Sequence, residues 1–199
     1  LMKKKLVLAY SGGLDTSYCA VHFSKDLDYE VHAVSVNTGG FTKLEINSIE
    51  KKAYAMGVSV YKNINAVETY YQKVVKFLIY GNVLKNNCYP LSVSAERSMQ
   101  AIKIIEYAKE NLKQRIRKQP IGFELLPEYF TLTELQRLYE SILDRELDVR
   151  NFRKKILSMD FIAESGFKQN AVTHRPAKLY KYNSDQYYKL QRSGYDFDL

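Results

Sequence analysis

LVLAYSGGLDTS occupies residues 6–17, and its reading decides the fold of the first half of the chain. Leu6–Tyr10 is a continuous apolar run, as a strand covered on both faces should be. Gly12 and Gly13 follow, without the Cβ atoms that keep a backbone away from a ligand. Thr16–Phe23 has a helical pattern. Strand, glycine turn and helix start together aim backbone N–H groups at one point, which attracts a phosphate group. Ser11, Thr16 and Ser17 add hydroxyl donors. Asp15 repels phosphate unless a cation bridges the two, so the turn suits a pyrophosphate held with Mg²⁺. The spacing is neither a Walker loop nor a dinucleotide fingerprint.

The pattern continues outward from this turn. Val31–Val36 reads as a second strand and Leu44–Met56 as a second helix. Gly57 ends that helix, and Val58–Tyr61 reads as a third strand. The β-α-β-α-β order predicts a parallel sheet with right-handed crossovers. Val67, Tyr71, Val74, Val75, Leu78 and Ile79 then make a helical stripe. Asn82–Ser94 is loop-like. Ala95–Glu110 is a helix with Ile102, Ile105 and Ala108 on one side. Lys113–Lys118 is a basic run, and Gln119–Pro127 reads as irregular.

A second unit begins near Phe130. Thr131 and Glu134 form a capping box ahead of Leu135, Leu138, Tyr139 and Ile142. Asp144–Leu147 is a short polar turn. Asp148 reads as the N-cap of a helix reaching Met159. On that helix Val149, Phe152, Ile156 and Met159 share one side. Arg150, Asn151, Lys154 and Lys155 fall on the opposite side, with Arg153 flanking. A basic helix face alone is a solvated surface. Here a capped helix and a short turn precede it, which is the helix-turn-helix arrangement. Arginine and asparagine can read base edges bidentately, and lysines suit phosphates. Phe161–Ala163 and Ala177–Tyr182 read as two strands of a hairpin, a wing whose loop carries Lys168, His174 and Arg175. His174 either meets phosphate or is an ordinary loop residue.

Composition bounds the function classes. The 199 residues hold one ordinary domain or two small ones. With 46% hydrophobic and 26% charged residues the chain is neither disordered nor a membrane protein. Cys19 and Cys88 form no CxxC pair and the three histidines are scattered, so no metal site is expected. The net charge is +8 and splits evenly on either side of Glu110. Such a charge suits polyanions such as ATP or DNA, although many proteins that bind neither carry it.

Two resemblances follow from these motifs. AYSGGLDTS, with VSVNTGG at 34–40, resembles the N-terminus of argininosuccinate synthases, of the PP-loop ATP pyrophosphatase class. The resemblance implies that Ala9, Tyr10, Ser11, Gly12, Gly13, Leu14, Asp15, Thr16 and Ser17 cradle the phosphates of ATP and that Val36 packs against adenine. NNCYPLSVSAER is similar to the family's citrulline segment, which implies that role for Tyr89 and Ser94; by spacing alone it is equally a loop capping the next helix. The family adenylates citrulline with release of pyrophosphate, and aspartate then displaces AMP. Family members continue into a second glycine-rich segment and a synthetase domain. This chain instead reads KQRIRKQPIGFELLPEYF. That puts ligase activity in doubt.

From there QPIGFELLPEYFTLTELQRLYESIL, RNFRKKIL and RPAKLYKY resemble the C-terminal winged-helix domain of Nudix-related transcriptional regulators. No Nudix box occurs. The expected fold is therefore an incomplete Rossmann-like α/β unit of the adenine nucleotide alpha hydrolase type (1–110), followed by an α+β winged helix-turn-helix domain (111–199). The expected ligands are ATP with Mg²⁺, double-stranded DNA and citrulline. No membrane partner is expected, and a cytoplasmic homo-oligomer is. The chain reads as a fusion of a ligase-like fragment with a regulator's DNA-binding domain, or as a regulator whose first unit senses adenine nucleotide.

Overall fold

The computed structural model describes residues 3–81, 91–169 and 176–199, with only the backbone described at 91–93. The chain divides into two compact units, Leu1–Ala108 and Lys109–Leu199.

In the first unit β1 (Lys5–Ala9), β2 (Glu30–Asn37) and β3 (Val60–Asn65) form a parallel sheet in the order β1-β2-β3. β2 is central, and Val31, Ala33 and Val34 on it are fully buried. The apolar run of the first strand predicts cover on both faces. The structure corrects this in part, because Leu6, Val7 and Leu8 are only half-buried; separately, among the described residues β1 is an edge strand. An apolar run reports what a strand's faces bury, not whether both of its edges are paired.

β1 feeds α1 (Leu14–Val21), which continues as one π turn over His22–Asp26. α2 (Lys43–Ala55) starts at a capping box: Glu45 N–H donates to Thr42 Oγ1, and Thr42 N–H donates to Glu45 Oε2 at 2.8 Å. Ile49 and Ala53 face Tyr10, Ala20, Val31 and Tyr61 in the core. The third strand lies at Val60–Asn65 and not Val58–Tyr61; Gly57, at φ +94°, and Val58 are spent on closing α2.

The stripe from Val67 to Ile79 is helical but broken into α3 (Val67–Tyr70), a π turn (Tyr71–Val75) and α4 (Lys76–Tyr80). The wider turn rotates the stripe, so Tyr70 is buried while Val67, Tyr71 and Ile79 face solvent. α5 runs unbroken over Leu91–Lys118, and the boundary between the units falls inside it. The basic run at 113–118 is therefore helix, as lysine and arginine readily are. Ile102 and Ile105 lie on the outer side of α5, 51% and 59% exposed, while Met99 is buried.

The second unit is an α+β winged helix. α6 (Ile121–Glu124) lies inside the segment expected to be irregular. α7 (Leu132–Leu143), α8 (Val149–Leu157), β4 (Ile162–Lys168), β5 (Lys178–Tyr182) and α9 (Ser184–Arg192) follow. β4 and β5 pair antiparallel, and Phe130 adds a bridge to Tyr180 through two hydrogen bonds of 3.0 and 2.8 Å. Phe123, Phe161, Tyr187 and Phe197 pack edge to face in the core, and Phe130 lies tilted against Phe123. α9 is an element that the expected fold lacks. Its signals were present: Asn183 accepts from Gln186 N–H at 3.0 Å, Asp185 sits in the first turn, and Lys189 and Arg192 sit in the last.

Candidate functional site

Two sites stand out, one in each unit. The first is the turn after β1. Tyr10 N–H donates to Val34 O at 2.9 Å, which prolongs the ladder and buries the Tyr10 ring. Gly12 then takes φ +76°, a conformation that suits glycine, and a Cβ there would meet Ile49 Cγ1 at 3.2 Å. Gly13 is the N-cap of α1 and supplies no side-chain cap. The first N–H groups of a helix have no partner within the helix, so they remain available to an anion at this end.

The turn is held by its own hydroxyls. Ser11 Oγ lies 3.3 Å from Thr16 Oγ1 and accepts from Gly13 N–H at 3.3 Å. Thr16 Oγ1 also donates to Gly13 O at 3.2 Å. Tyr10 Oη lies 3.4 Å from Ser17 Oγ. Leu14 and Asp15 are exposed at the start of α1.

Above the turn opens a cavity of about 200 Å³, lined by Ala9, Tyr10, Ser11, Thr16 and Val36 together with Val34, Ser35, Phe41, Gln100 and Ile104. Five of the residues singled out for nucleotide thus border one space. Phe41, Gln100 and Ile104 are lining residues that the sequence reading did not pick. Phe41 is on a loop and the other two are on α5, so no local motif marks them. Among the described residues no three His, Cys, Asp or Glu side chains gather as a metal site. Ser94 is exposed on α5, whereas Tyr89 lies outside the described residues.

The second site is built on α8. Thr131 and Glu134 close the capping box of α7, with Thr131 N–H donating to Glu134 Oε2 at 2.7 Å. α7 ends at Asp144 in the left-handed region, φ 52°, and Asp144 accepts from Lys113 Nζ at 2.6 Å. Glu140 fastens the following turn by accepting from Gln136 Nε2 at 2.9 Å and from Leu147 N–H at 3.0 Å. These two bonds hold the Glu140 carboxyl below the usual carboxylate range, the Gln136 bond being the larger cause. Asp148 then caps α8, accepting from Asn151 N–H at 2.7 Å.

The back of α8 is locked. Phe152 and Ile156 are buried, and the Phe152 ring lies 5.7 Å from that of Tyr139. Met159, just beyond the helix, is buried with them. Val149, assigned by its helical position to this side, is instead 49% exposed at the first turn. Arg150, Asn151, Arg153, Lys154 and Lys155 are all exposed. Arg153 donates to Thr133 Oγ1 at 3.1 Å, and Lys155 Nζ lies 3.7 Å from Asp198. Lys168 is exposed at the end of β4, and His174 and Arg175 lie outside the described residues.

Comparison with known proteins places both units. Residues 5–121 match the family model of the argininosuccinate synthase N-terminal HUP domain, more than half of the chain. The chain belongs to that family. Residues 122–182 match the NrtR DNA-binding winged helix domain. Argininosuccinate synthase of Hyperthermus butylicus is 39% identical over 106 residues, covering 53% of this chain and 26% of the relative. That of Staphylococcus aureus is 39% identical over 109 residues, covering 55% and 26%. The chain thus spans about a quarter of the length of the curated relatives it matches. Among solved structures, Shewanella oneidensis NrtR complexed with a 27mer DNA is 30% identical, covers 49% of this chain and 42% of that one, and has a TM-score of 0.40. The turn after β1 therefore lies in an argininosuccinate synthase-type HUP domain, and α7 and α8 lie in the segment that matches the NrtR winged helix. No helix among the described residues is long and apolar enough to cross a membrane.

Proposed function

We propose that the chain binds duplex DNA through α8 and an adenine nucleotide at the turn after β1, as a nucleotide-responsive transcriptional regulator. The observation that carries this reading is the row Arg150, Asn151 and Lys154, exposed on a helix whose back is locked by Phe152 and Ile156. Such a helix enters the major groove, with Arg150 and Asn151 at base edges and Lys154 on phosphate. Arg153 and Lys155, tied to Thr133 and Asp198, set the helix orientation and add positive charge. Lys168, His174 and Arg175 reach the backbone or minor groove from the wing.

ATP fits the first site by its chemistry. The glycines bring N–H groups to the phosphates, Ser11 and Thr16 add hydroxyls, and Ala9, Val36 and Phe41 give adenine an apolar wall. Mg²⁺ would be held by the phosphate oxygens and Asp15, the carboxylate that the turn itself carries. Two copies of the chain would read two half-sites of a palindrome, and the cytoplasm is where such a protein works. Selection from a random duplex pool tests the first half, and calorimetry with MgATP the second. The reading requires one enriched motif and saturable binding of ATP; an unenriched pool overturns it.

The cavity at the turn favours a second reading, ATP-driven ligation of citrulline and aspartate with Tyr89 and Ser94 on citrulline. Pyrophosphate release with all three substrates tests it, and no release removes it.

A further inference from the structure

The phosphate turn lacks a cation. Asp15 is the sole charged residue in Ala9–Ser17, and among the described residues no lysine or arginine lines the cavity above the turn. Beyond its own Mg²⁺, a polyphosphate bound there meets only the N–H and O–H dipoles of the turn. At the other end of the same strand stand Lys3, Lys4 and Lys5. Lys3 pairs with Asp28, and Lys5 Nζ lies 2.7 Å from Glu30. Lys4 is exposed and has no ion pair among the described residues. The unspent charge and the site that needs one therefore sit at opposite ends of a five-residue strand.

The free edge of β1 offers a way to join them. Lys4 O accepts from Glu30 N–H at 2.8 Å, and Tyr10 N–H donates to Val34 O at 2.9 Å. Lys4 and Tyr10 thus bond toward β2. Strand alternation then turns the N–H and C=O groups of Lys5, Val7 and Ala9 toward the opposite edge, where no strand lies among the described residues. This edge has none of the usual guards: no proline, no bulge in its register, and a charged residue only at its first position.

We propose that two copies of this chain join β1 to β1 antiparallel, and that the partner's Lys4 supplies the cation of each phosphate turn. The proposal rests on the nucleotide reading above. The register follows from which groups are outward. Centring the pair on Val7 sets Lys5 against the partner's Ala9 and uses all three outward residues of both strands, whereas a two-residue slip leaves one unpaired. In this register Lys4 stands beside the partner's Tyr10 and Lys3 beside the partner's Ser11. Directly opposed residues have Cβ atoms about 5 Å apart, so a lysine side chain reaches the phosphate position. The two sheets become one of six strands, and each site draws on both copies.

Two experiments on the full chain test this. The first is Val7→Cys with Cys19→Ser and Cys88→Ser. A hydrogen-bonded antiparallel pair holds its Cα atoms about 5.5 Å apart, within disulfide range. Mild oxidation should give a covalent dimer faster than the same chain with Leu44→Cys, an exposed control on α2. An equal or slower rate overturns the β1 pairing, including in favour of a different protein as its occupant. The second mixes Lys4→Ala with Thr16→Glu, which puts a negative charge in the cavity. Each alone should bind MgATP roughly tenfold or more weakly than wild type. After mixing, sites of wild-type affinity should appear, because the intact turn of one copy meets Lys4 of the other. No gain on mixing overturns the shared site. A wild-type chain that binds no ATP overturns the nucleotide reading instead, and the crosslink still decides the pairing.

Discussion

A Cβ at Gly122 would lie 2.4 Å from the Tyr139 ring, so the approach of α6 to α7 depends on one missing atom. Gly122→Ala forces the buried ring aside and should cost about 1–3 kcal/mol, measured as a lower denaturation midpoint of the winged helix. An unchanged midpoint would mean that the ring has room to move. Glu140 makes a second prediction. Its folded pKa lies below its unfolded value, so its contribution to stability is present above the usual carboxylate range and is lost as pH falls through the folded value. Glu140→Gln should therefore flatten the acid limb of winged-helix stability below about pH 4.5, and an identical acid limb would contradict this. Neither residue is legible in the sequence. Gly122 sits inside the short helix α6 and has a negative φ, so no turn signal marks it, and Glu140 reads as an ordinary helical glutamate until the chain folds back and brings Leu147 to it. Gly12 is legible, because a glycine between strand and helix has few other uses.

Elements announced by their ends were easiest to read. The capping box at Thr131, and Asp148 before α8, each rest on side chains within three residues of the backbone groups they satisfy; the box at Thr42 carries the same signal and went unread. Asp148→Ala should cost about 1 kcal/mol and loosen the first turn of α8, where Arg150 and Asn151 sit. Hydrogen exchange at Asn151, whose N–H donates to that carboxylate, checks it; unchanged protection would contradict the cap's role. What failed were statements about which face is covered. The apolar run of β1 is a strand as read, and Val149 is on the helix as read, yet exposure depends on neighbours far along the chain. The π turns were illegible as well, because their wider spacing breaks the period on which a helical stripe is recognised.

At the scale of the whole molecule, two domain types meet in one chain: a HUP domain with the glycine turn after β1, and a segment matching a winged helix that contains α8. If the first unit regulates the second, ATP must change DNA affinity, and DNA must change ATP affinity by the same factor. Titrating ATP into a DNA-binding assay measures that factor, and a factor of one removes the regulatory coupling while leaving both binding sites in place. The most direct test of the central claim is the affinity of Arg150→Ala with Asn151→Ala for the selected duplex, followed across salt. Both side chains are exposed, so the fold should survive. The predicted result is a loss of about 1–3 kcal/mol per base contact, with relaxed sequence preference. Unchanged affinity and an unchanged salt slope would show that α8 does not read DNA.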